Sequence, residues 1–532
     1  MISSAVVSSI TNLKAVDKTL YAQIFVQGYY SAGDGGGGQY WYDSSDIASA
    51  DNGGTIIVAT DGGRWKLINQ GMVSVKQFGA KGDGVTNDYV AIQAAINSGI
   101  RRISFPSARY SCLSTLNITN LGQTGVPLRL FGDATNYNDG VLTAGSVILS
   151  NPGAGKWIAD LTGSQFIIIE DLMFVASGTN AATFGLLYAR STAVGFAQNN
   201  SLRRVIIKMA TAGGSIAIGN NCAEQFVCDE CWLEADIPYV TTLANEQGFV
   251  STYATIANTT FSNTAQSFRM TTFAPLTSTS MVLTGLATAV FDNCIWIPVT
   301  GNAYQYGITL RSSAQAYKDC QNIRFTGQIE SWVNAFRLEG NTRDITFDFS
   351  TSNISGSHIL MIGGTNHYSP NIRTNPLNTT GVSTVSTNGS AVNIYGGNIT
   401  VAPNLKLTDA NILLQGTDVD GGNGNMSSNA FFLVNATSSY HARWSNSKTH
   451  ASVTWNPGSV PYLAAVATAF SVTGAALGDK VDVISPYAEQ GCIFRGSVDS
   501  AGVVKLVAAN LTGTTVTFSA ATFNVIIERP TF

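Results

Sequence analysis

A chain of 532 residues, 45% hydrophobic and only 12% charged, can bury a sizeable core, and about 150 residues per domain points to three or four structural regions. A net charge of −4 with scattered Lys and Arg offers no basic face for a phosphate backbone, so nucleic acid is not an expected partner. No segment approaches the roughly 20 uninterrupted apolar residues of a membrane span. Seven Cys, an odd number in so long a chain, fit buried thiols better than a disulfide framework. With 53 Gly, abundant Ser, Thr and Asn, and only 13 Pro, the composition is that of many short strands and tight turns, and the class is all-β.

The opening MISSAVVSSITNLKAVDKTLY lacks the basic start and apolar core of a secretory signal. Residues 1–70 contain YYSAGDGGGGQYWYDSSD and DNGGTIIVATDGGRWKLI, aromatic strands joined by Gly and Asp turns, and read as a small β-rich neck. Gly33 to Gly38 formally satisfy GxGxxG, but aromatic strand residues follow where a phosphate cradle needs a helix, so a flexible turn is the expectation. Next, VSVKQFGAKGDGVTNDYVAIQAAINSG predicts a strand at Val73–Phe78, a Gly-rich turn and one helix. Asp88 or Asn87 can cap that helix, Val90, Ile92, Ala95 and Ile96 form its apolar stripe, and Gly99 can end it.

The stretch VKQFGAKGDGVTND followed by a short amphipathic helix resembles the opening of the pectate-lyase-like β-helix superfamily. The preceding GYYSAGDGGGG and DGGRWKLI narrow the resemblance to phage tailspikes that depolymerise capsular polysaccharide. It implies a right-handed, single-stranded parallel β-helix whose first rung is covered by the helix, since an exposed sheet edge invites pairing. It also implies a homotrimer, a virion-tail location with synthesis in the host cytoplasm, attachment to the tail or an adaptor protein through the N-terminus, and action on a bacterial surface polysaccharide.

Beyond Ile100 a strand phrase returns at intervals of about 25 to 35 residues, the spacing of solenoid rungs. The phrases are FIIIEDLMFVA (166–176), SLRRVIIKMA (201–210), FVCDECWLEA (226–235), YATIANTTFSN (253–263), VFDNCIWIPV (290–299), NIRFTGQIES (322–331) and DITFDFSTS (344–352). Aligned, they put Leu172, Val205, Cys231 and Cys294 in one inward column. Cys228 and Cys231, three apart on a strand, would then face opposite sides, which argues against a metal or redox pair. The β-helix is expected over 71–400. The region 401–532 alternates apolar and polar residues around SAG and LTG turns, the pattern of an antiparallel β-sandwich. By resemblance that sandwich serves trimerisation or carbohydrate binding.

Other chemistries fail on spacing. Gly153-Ala154-Gly155-Lys156 is not a P-loop, the four His are not spaced as metal ligands, no G-x-S-x-G elbow occurs, and Asp418 to Gly424 lacks calcium-loop register. No metal or cofactor is expected. Carboxylates beside aromatics remain, which is what cleaving a sugar polymer requires.

In FVCDECWLEADIPY, with Cys231 and Leu233 inward, alternation sends Glu230, Trp232, Glu234 and Asp236 outward on one stripe. Glu234 and Asp236 would be about 6.5 to 7 Å apart at the backbone, suited to an inverting pair, with Trp232 as a stacking surface and Glu230 nearby. The alternative is that these are merely solvated residues of the convex wall. In GQIESWVNAF, Glu330 and Trp332 are expected outward, Glu330 in the Glu234 column three rungs on, about 14 Å away. Glu224 and Glu246, in AEQF and NEQGF, either contact substrate or end rungs as turn residues. Arg311 and Glu339 are expected to pair. Lys208, adjacent to Glu234 in the stack, and Tyr239 would serve a lyase instead. Three readings stay open: a glycoside hydrolase acting through Glu234, Asp236 and Glu330, a polysaccharide lyase, and a non-catalytic adhesive spike.

Overall fold

The structure, a computed structural model, describes residues 5–241, 263–354 and 448–528 apart from short breaks, and the backbone of separate strands between 359 and 444. The neck is a five-stranded sheet. Ala5–Val7 runs parallel to Gln23–Val26, and Gly38–Tyr42, Arg64–Leu67 and Ile56–Val58 continue it antiparallel. One face buries Ile24, Val26, Tyr40, Ile57 and Trp65. Within the glycine run between the strands, Gly36, Gly37 and Gly38 are tightly packed. A Cβ on Gly36 would lie 2.4 Å from the Lys76 carbonyl oxygen, and one on Gly38 would lie 2.5 Å from Leu67. The neck is tied to the first rung by Tyr30, whose hydroxyl donates to the Gly79 carbonyl at 2.8 Å, and by Gln77, whose amide donates to the Gly37 carbonyl at 3.1 Å.

The expected strand at Val73–Phe78 is shorter. Met72–Ser74 is extended, and Val75–Phe78 is a 3₁₀ turn held by a Ser74–Gln77 capping box. The helix forms at Tyr89–Asn97 and buries Ala91, Ile92, Ala95 and Ile96, while Val90 is exposed. Asp88 stands at the N-cap but its carboxylate turns back to accept from the backbone N–H groups of Lys81 and Gly82. Its charge therefore fixes the glycine turn that precedes the helix. Gly99, at φ +80°, follows the helix end.

From Met72 onward the strands pair in parallel, rung on rung, as a right-handed β-helix. One interior column runs Val73, Ile103, Leu130, Ile169, Leu202, Cys228, Phe268, Phe291, Phe325 and Phe347. All ten are buried. The four Phe rings stack nearly parallel with centroids 4.7, 4.8 and 5.5 Å apart, close to the inter-strand spacing of about 4.8 Å.

The strands of this column from Ile169 to Phe325 are bounded by non-glycine residues with left-handed backbones. On the entry side these are Phe166, Asn199, Gln225, Ala265, Thr288 and Asn322; on the exit side, Asp171, Arg204, Glu230, Met270 and Asn293. A left-handed conformation costs a non-glycine residue roughly 1–2 kcal/mol. The corners are held by rung-to-rung bonds, Arg204 N–H to the Asp229 carbonyl and Glu230 N–H to the Arg269 carbonyl, both 2.9 Å.

The corner at Glu230 turns the chain, so Cys228 and Cys231 both face the interior rather than opposite sides. Burial pushes the Cys228 thiol well above its ordinary range. Leu172, Val205, Cys231 and Cys294 share one buried column, as the phrases predict. The phrase at 253–263 lies almost wholly outside the described residues, and the rung expected there runs through Ser267–Pro275.

The chain divides into two compact units. The C-terminal one holds antiparallel sheets, Lys448–Trp455 with Ala521–Glu528 and Lys480–Ile484, and Ala465–Ser471 with Val503–Asn510 and Cys492–Ser500. Val503–Asn510 alternates strictly, and its inward Val504, Leu506 and Ala508 meet Trp455, Phe523, Val525 and Ile527 in one core.

Candidate active site

The rung that carries Trp232 is built from three strands, Val227–Asp229, Trp232–Ala235 and Ile237–Thr241, with corners between them. Within the middle strand alternation holds. Leu233 is buried in the interior column between Ile207 and Phe273, and Trp232 and Glu234 face the other way. Trp232 rests on an apolar footing of Val147, Leu149, Met173, Val175 and Ile206 from the rungs below. Its indole N–H donates to Glu234 Oε2 at 3.2 Å. Lys208, in register one rung below Glu234, brings Nζ to 3.6 Å from the same oxygen. Glu234 itself is 8% exposed, so this is a largely desolvated carboxylate held by an indole N–H and an ammonium.

The stripe expected from strict alternation is cut by the corners. Glu230 is exposed at the left-handed corner before the strand and does not share the Glu234 face. Asp236 is 1% exposed. Its Oδ2 accepts from the N–H groups of Gly214 at 2.5 Å and Ser215 at 2.9 Å, and its own N–H donates to Ser215 Oγ at 2.9 Å. Asp236 thus closes a turn of the preceding rung, and the Glu234–Asp236 pair does not form on the outer wall.

Trp332 is likewise not outward. Ser331 adopts φ +65°, the chain turns there, and Trp332 is fully buried with its indole N–H donating to the Trp296 carbonyl at 3.3 Å. Glu330, before that corner, is half-buried and accepts from the Gln328 amide at 2.9 Å. It stands in the Glu234 column three rungs on, by way of Ala274 and Ile297. Tyr239, considered as a lyase base, is buried inside the coil, where its hydroxyl meets Asn220 and Gln266 and burial raises its pKa. Glu224 is half-buried in the short strand Ala223–Glu224, Arg311 and Glu339 are in register on adjacent rungs, and Glu246 lies outside the described residues.

The adjoining wall carries a feature the sequence reading missed. Glu170, Arg203, Asp229, Arg269 and Asp292 occupy one outward column and alternate in sign. Asp229 receives Arg269 at 2.6 Å and Arg203 at 3.9 Å, Glu170 pairs with Arg129, and at the corner Asp171 takes Arg204 at 2.6 Å through both oxygens. Asp292 ends the run, accepting from the Thr326 hydroxyl at 3.0 Å. Part of the signal was present at one position of four of the aligned phrases, where E, R, D and D fall in turn. Among the described residues no three His, Cys, Asp or Glu side chains converge as a metal site.

Comparison with known proteins agrees with this two-part build. The phage tail protein small four-stranded beta-sheet domain matches residues 6–70, and the rhamnogalacturonase A/epimerase, pectate lyase-like family matches residues 72–294. The Mu-like prophage FluMu defective tail fiber protein of Haemophilus influenzae is 32% identical over 124 residues, which is 22% of this chain and 20% of that protein. The matching stretch is thus about a fifth of the relative's length.

Among solved structures, the tailspike protein 2 enzymatically active domain of bacteriophage CBA120 is 12% identical. The match covers 98% of this chain and 82% of that one, with a TM-score of 0.54. The gp42 tailspike of Acinetobacter phage vb_AbaP_AS12 is 15% identical, with 98% and 93% covered and a TM-score of 0.57. At these identities the likeness concerns the fold. The chain therefore joins a phage-tail β-sheet domain to a pectate-lyase-like β-helix, and its fold is that of phage tailspikes.

Proposed function

We propose that this protein is a tailspike depolymerase that binds a bacterial surface polysaccharide along the outer wall around Trp232 and cleaves it by glycoside hydrolysis, with the Glu234 carboxylate as the general base that takes a proton from the attacking water while the leaving oxygen is protonated from solvent. The observation that carries the reading is the Glu234 carboxylate, largely shielded from water, receiving the Trp232 indole N–H beside an aromatic face on which a sugar ring can stack. A general base needs a position next to the attacked sugar carbon and a surface that orients the ring, and Trp232 and Glu234 offer both within one strand. Glu330, about 14 Å along the same column, is beyond the 5 to 9.5 Å span of a catalytic pair and serves to hold another part of the chain of sugars. In this reading the protein acts as a homotrimer attached to the virion tail through its neck.

Lys208 supports a second reading. A lyase abstracts a proton next to a uronic acid and needs a cation to neutralise that acid, and the Lys208 ammonium is the cation beside Glu234. The experiment that separates the readings mixes the protein with capsule and lipopolysaccharide and measures reducing ends together with the absorbance of an unsaturated uronate. Reducing ends without that absorbance are expected. Both together would mean a lyase, and binding with neither would mean an adhesive spike.

A further inference from the structure

Resting on the reading that Glu234 is the base of this wall, we infer that Lys208 is a positioning residue: with the Trp232 indole it fixes the Glu234 carboxylate by one oxygen, Oε2, and leaves the other, Oε1, to take the proton. Both donors meet on Oε2, the Trp232 N–H at 3.2 Å and the Lys208 ammonium at 3.6 Å. Among the described residues no donor sits on Oε1, nor is Oε1 a buried oxygen without a partner, so it is open to solvent. In the reaction Oε1 gains the proton that the attacking water loses, while Oε2 keeps its donors.

The two donors approach from different rungs. Trp232 lies two residues before Glu234 on the same strand, and Lys208 lies in register one rung below. Turning the carboxylate plane breaks both bonds at once, so Oε1 keeps one direction. The indole is itself held by its apolar footing of Val147, Leu149, Met173, Val175 and Ile206.

Packing does not account for the pair. Leu149 and Val175 stand in the column under Lys208, and the rung above presents Thr272 and Ala274. Lys208 and Glu234 thus set one ammonium and one carboxylate into an otherwise uncharged stretch of these columns, with side chains 25% and 10% exposed. Taking an ion pair this far out of water costs about as much as its attraction returns, and apolar residues of similar volume would serve the fold as well. What the ammonium supplies, and an apolar side chain cannot, is a fixed partner for Oε2 where water is scarce.

A residue that aims the base acts on kcat, whereas a lysine that grips an acid group of the polymer acts on KM. The test therefore takes the full chain and a purified capsule or O-antigen that the wild type is found to cut, and obtains kcat and KM from reducing ends. Lys208→Met keeps much of the length and removes the charge. It should lower kcat about tenfold with KM within about twofold, and Lys208→Arg should recover most of the loss. Trp232→Phe, which keeps a ring and removes the N–H, should lower kcat about fivefold. Thermal melts of each variant allow kcat to be expressed per folded molecule. An unchanged kcat in Lys208→Met, or a raised KM at unchanged kcat, would overturn this inference, and an inactive Glu234→Gln in the same assay would leave the hydrolase reading standing without it. Wild-type cleavage by Glu234→Gln, or release of an unsaturated uronate, would remove the underlying reading, and this inference with it.

Discussion

Lys208 and Glu234 stand one rung apart in the same outward column, with Nζ 3.6 Å from Oε2, and the Trp232 indole donates to the same oxygen from 3.2 Å. This arrangement exists only because the coil brings residues 26 positions apart into register, while Leu233 between the two acid-site residues is locked into the core. The site is therefore as rigid as the stack below it.

The two tryptophans named by the sequence should behave differently. Trp232 is half-buried on the outer face, and Trp232→Ala is expected to raise the Michaelis constant for polymer about tenfold with a small change in melting temperature. Trp332 is fully buried, and Trp332→Ala is expected to cost about 3–5 kcal/mol of stability. Thermal melts paired with steady-state kinetics on both variants check this. Comparable melting temperatures would place Trp332 outside the core.

Asp236 should prove structural. Removing its carboxylate strands the N–H groups of Gly214 and Ser215, each worth about 1–3 kcal/mol when buried and unpaired. Asp236→Ala is expected to lower the melting temperature while the activity per folded molecule stays near wild type. An intact melt with activity lost would restore Asp236 to the catalytic role that its spacing suggests.

The alternating column makes a prediction about folding. Asp229→Lys would set three cations on successive rungs between Arg203 and Arg269, and a one-rung slip of the native stack would likewise oppose like charges. Refolding yield of this variant should fall at low salt and recover in part near 1 M NaCl, where the Debye length is about 3 Å. Adding Arg203→Gln and Arg269→Gln, which removes the like-charge contacts without creating new ones against Glu170 and Asp292, should recover the yield at low salt. Salt-independent yields would show that the ladder does not guide register.

In the neck, Asp34 accepts four backbone N–H groups, from Tyr29, Tyr30, Ser31 and Gly36, at 2.8 to 3.0 Å. Burial alone would raise its pKa, but these donors outweigh it and hold the carboxyl below its ordinary value. A depressed folded pKa means the stabilisation is present above the unfolded carboxyl value, roughly 3.9, and is lost as pH falls through the lower folded value. Asp34→Asn should therefore cost about 1–3 kcal/mol at neutral pH, with the gap to wild type narrowing below about pH 4. Thermal melts across pH read this directly, and a gap that widens in acid would contradict it.

The rung register was legible because parallel stacking repeats inward apolar positions, so that Leu172, Val205, Cys231 and Cys294 align from sequence phrases alone. The C-terminal alternation was legible for the same reason, since one face of each strand is core. What escaped was the corners. Glu230 and Ser331 take left-handed backbones without being glycine, so no residue type announced the turn, and alternation counted across them misplaced Glu230 and Trp332. Asp236 escaped because its partners are backbone N–H groups 21 and 22 residues away, which side-chain patterning does not encode. Gly36 and Gly38 of the neck read as part of a loose turn in sequence, but a carbonyl and side chains crowd them.

The most direct test of the account replaces Glu234 by Gln and measures both polymer binding and reducing-end release. Gln keeps an oxygen that can accept the Trp232 N–H and removes the charge that takes up a proton and pairs with Lys208, so the fold should hold while cleavage falls at least about a hundredfold. Cleavage at the wild-type rate by Glu234→Gln would contradict the account and move the chemistry off this wall.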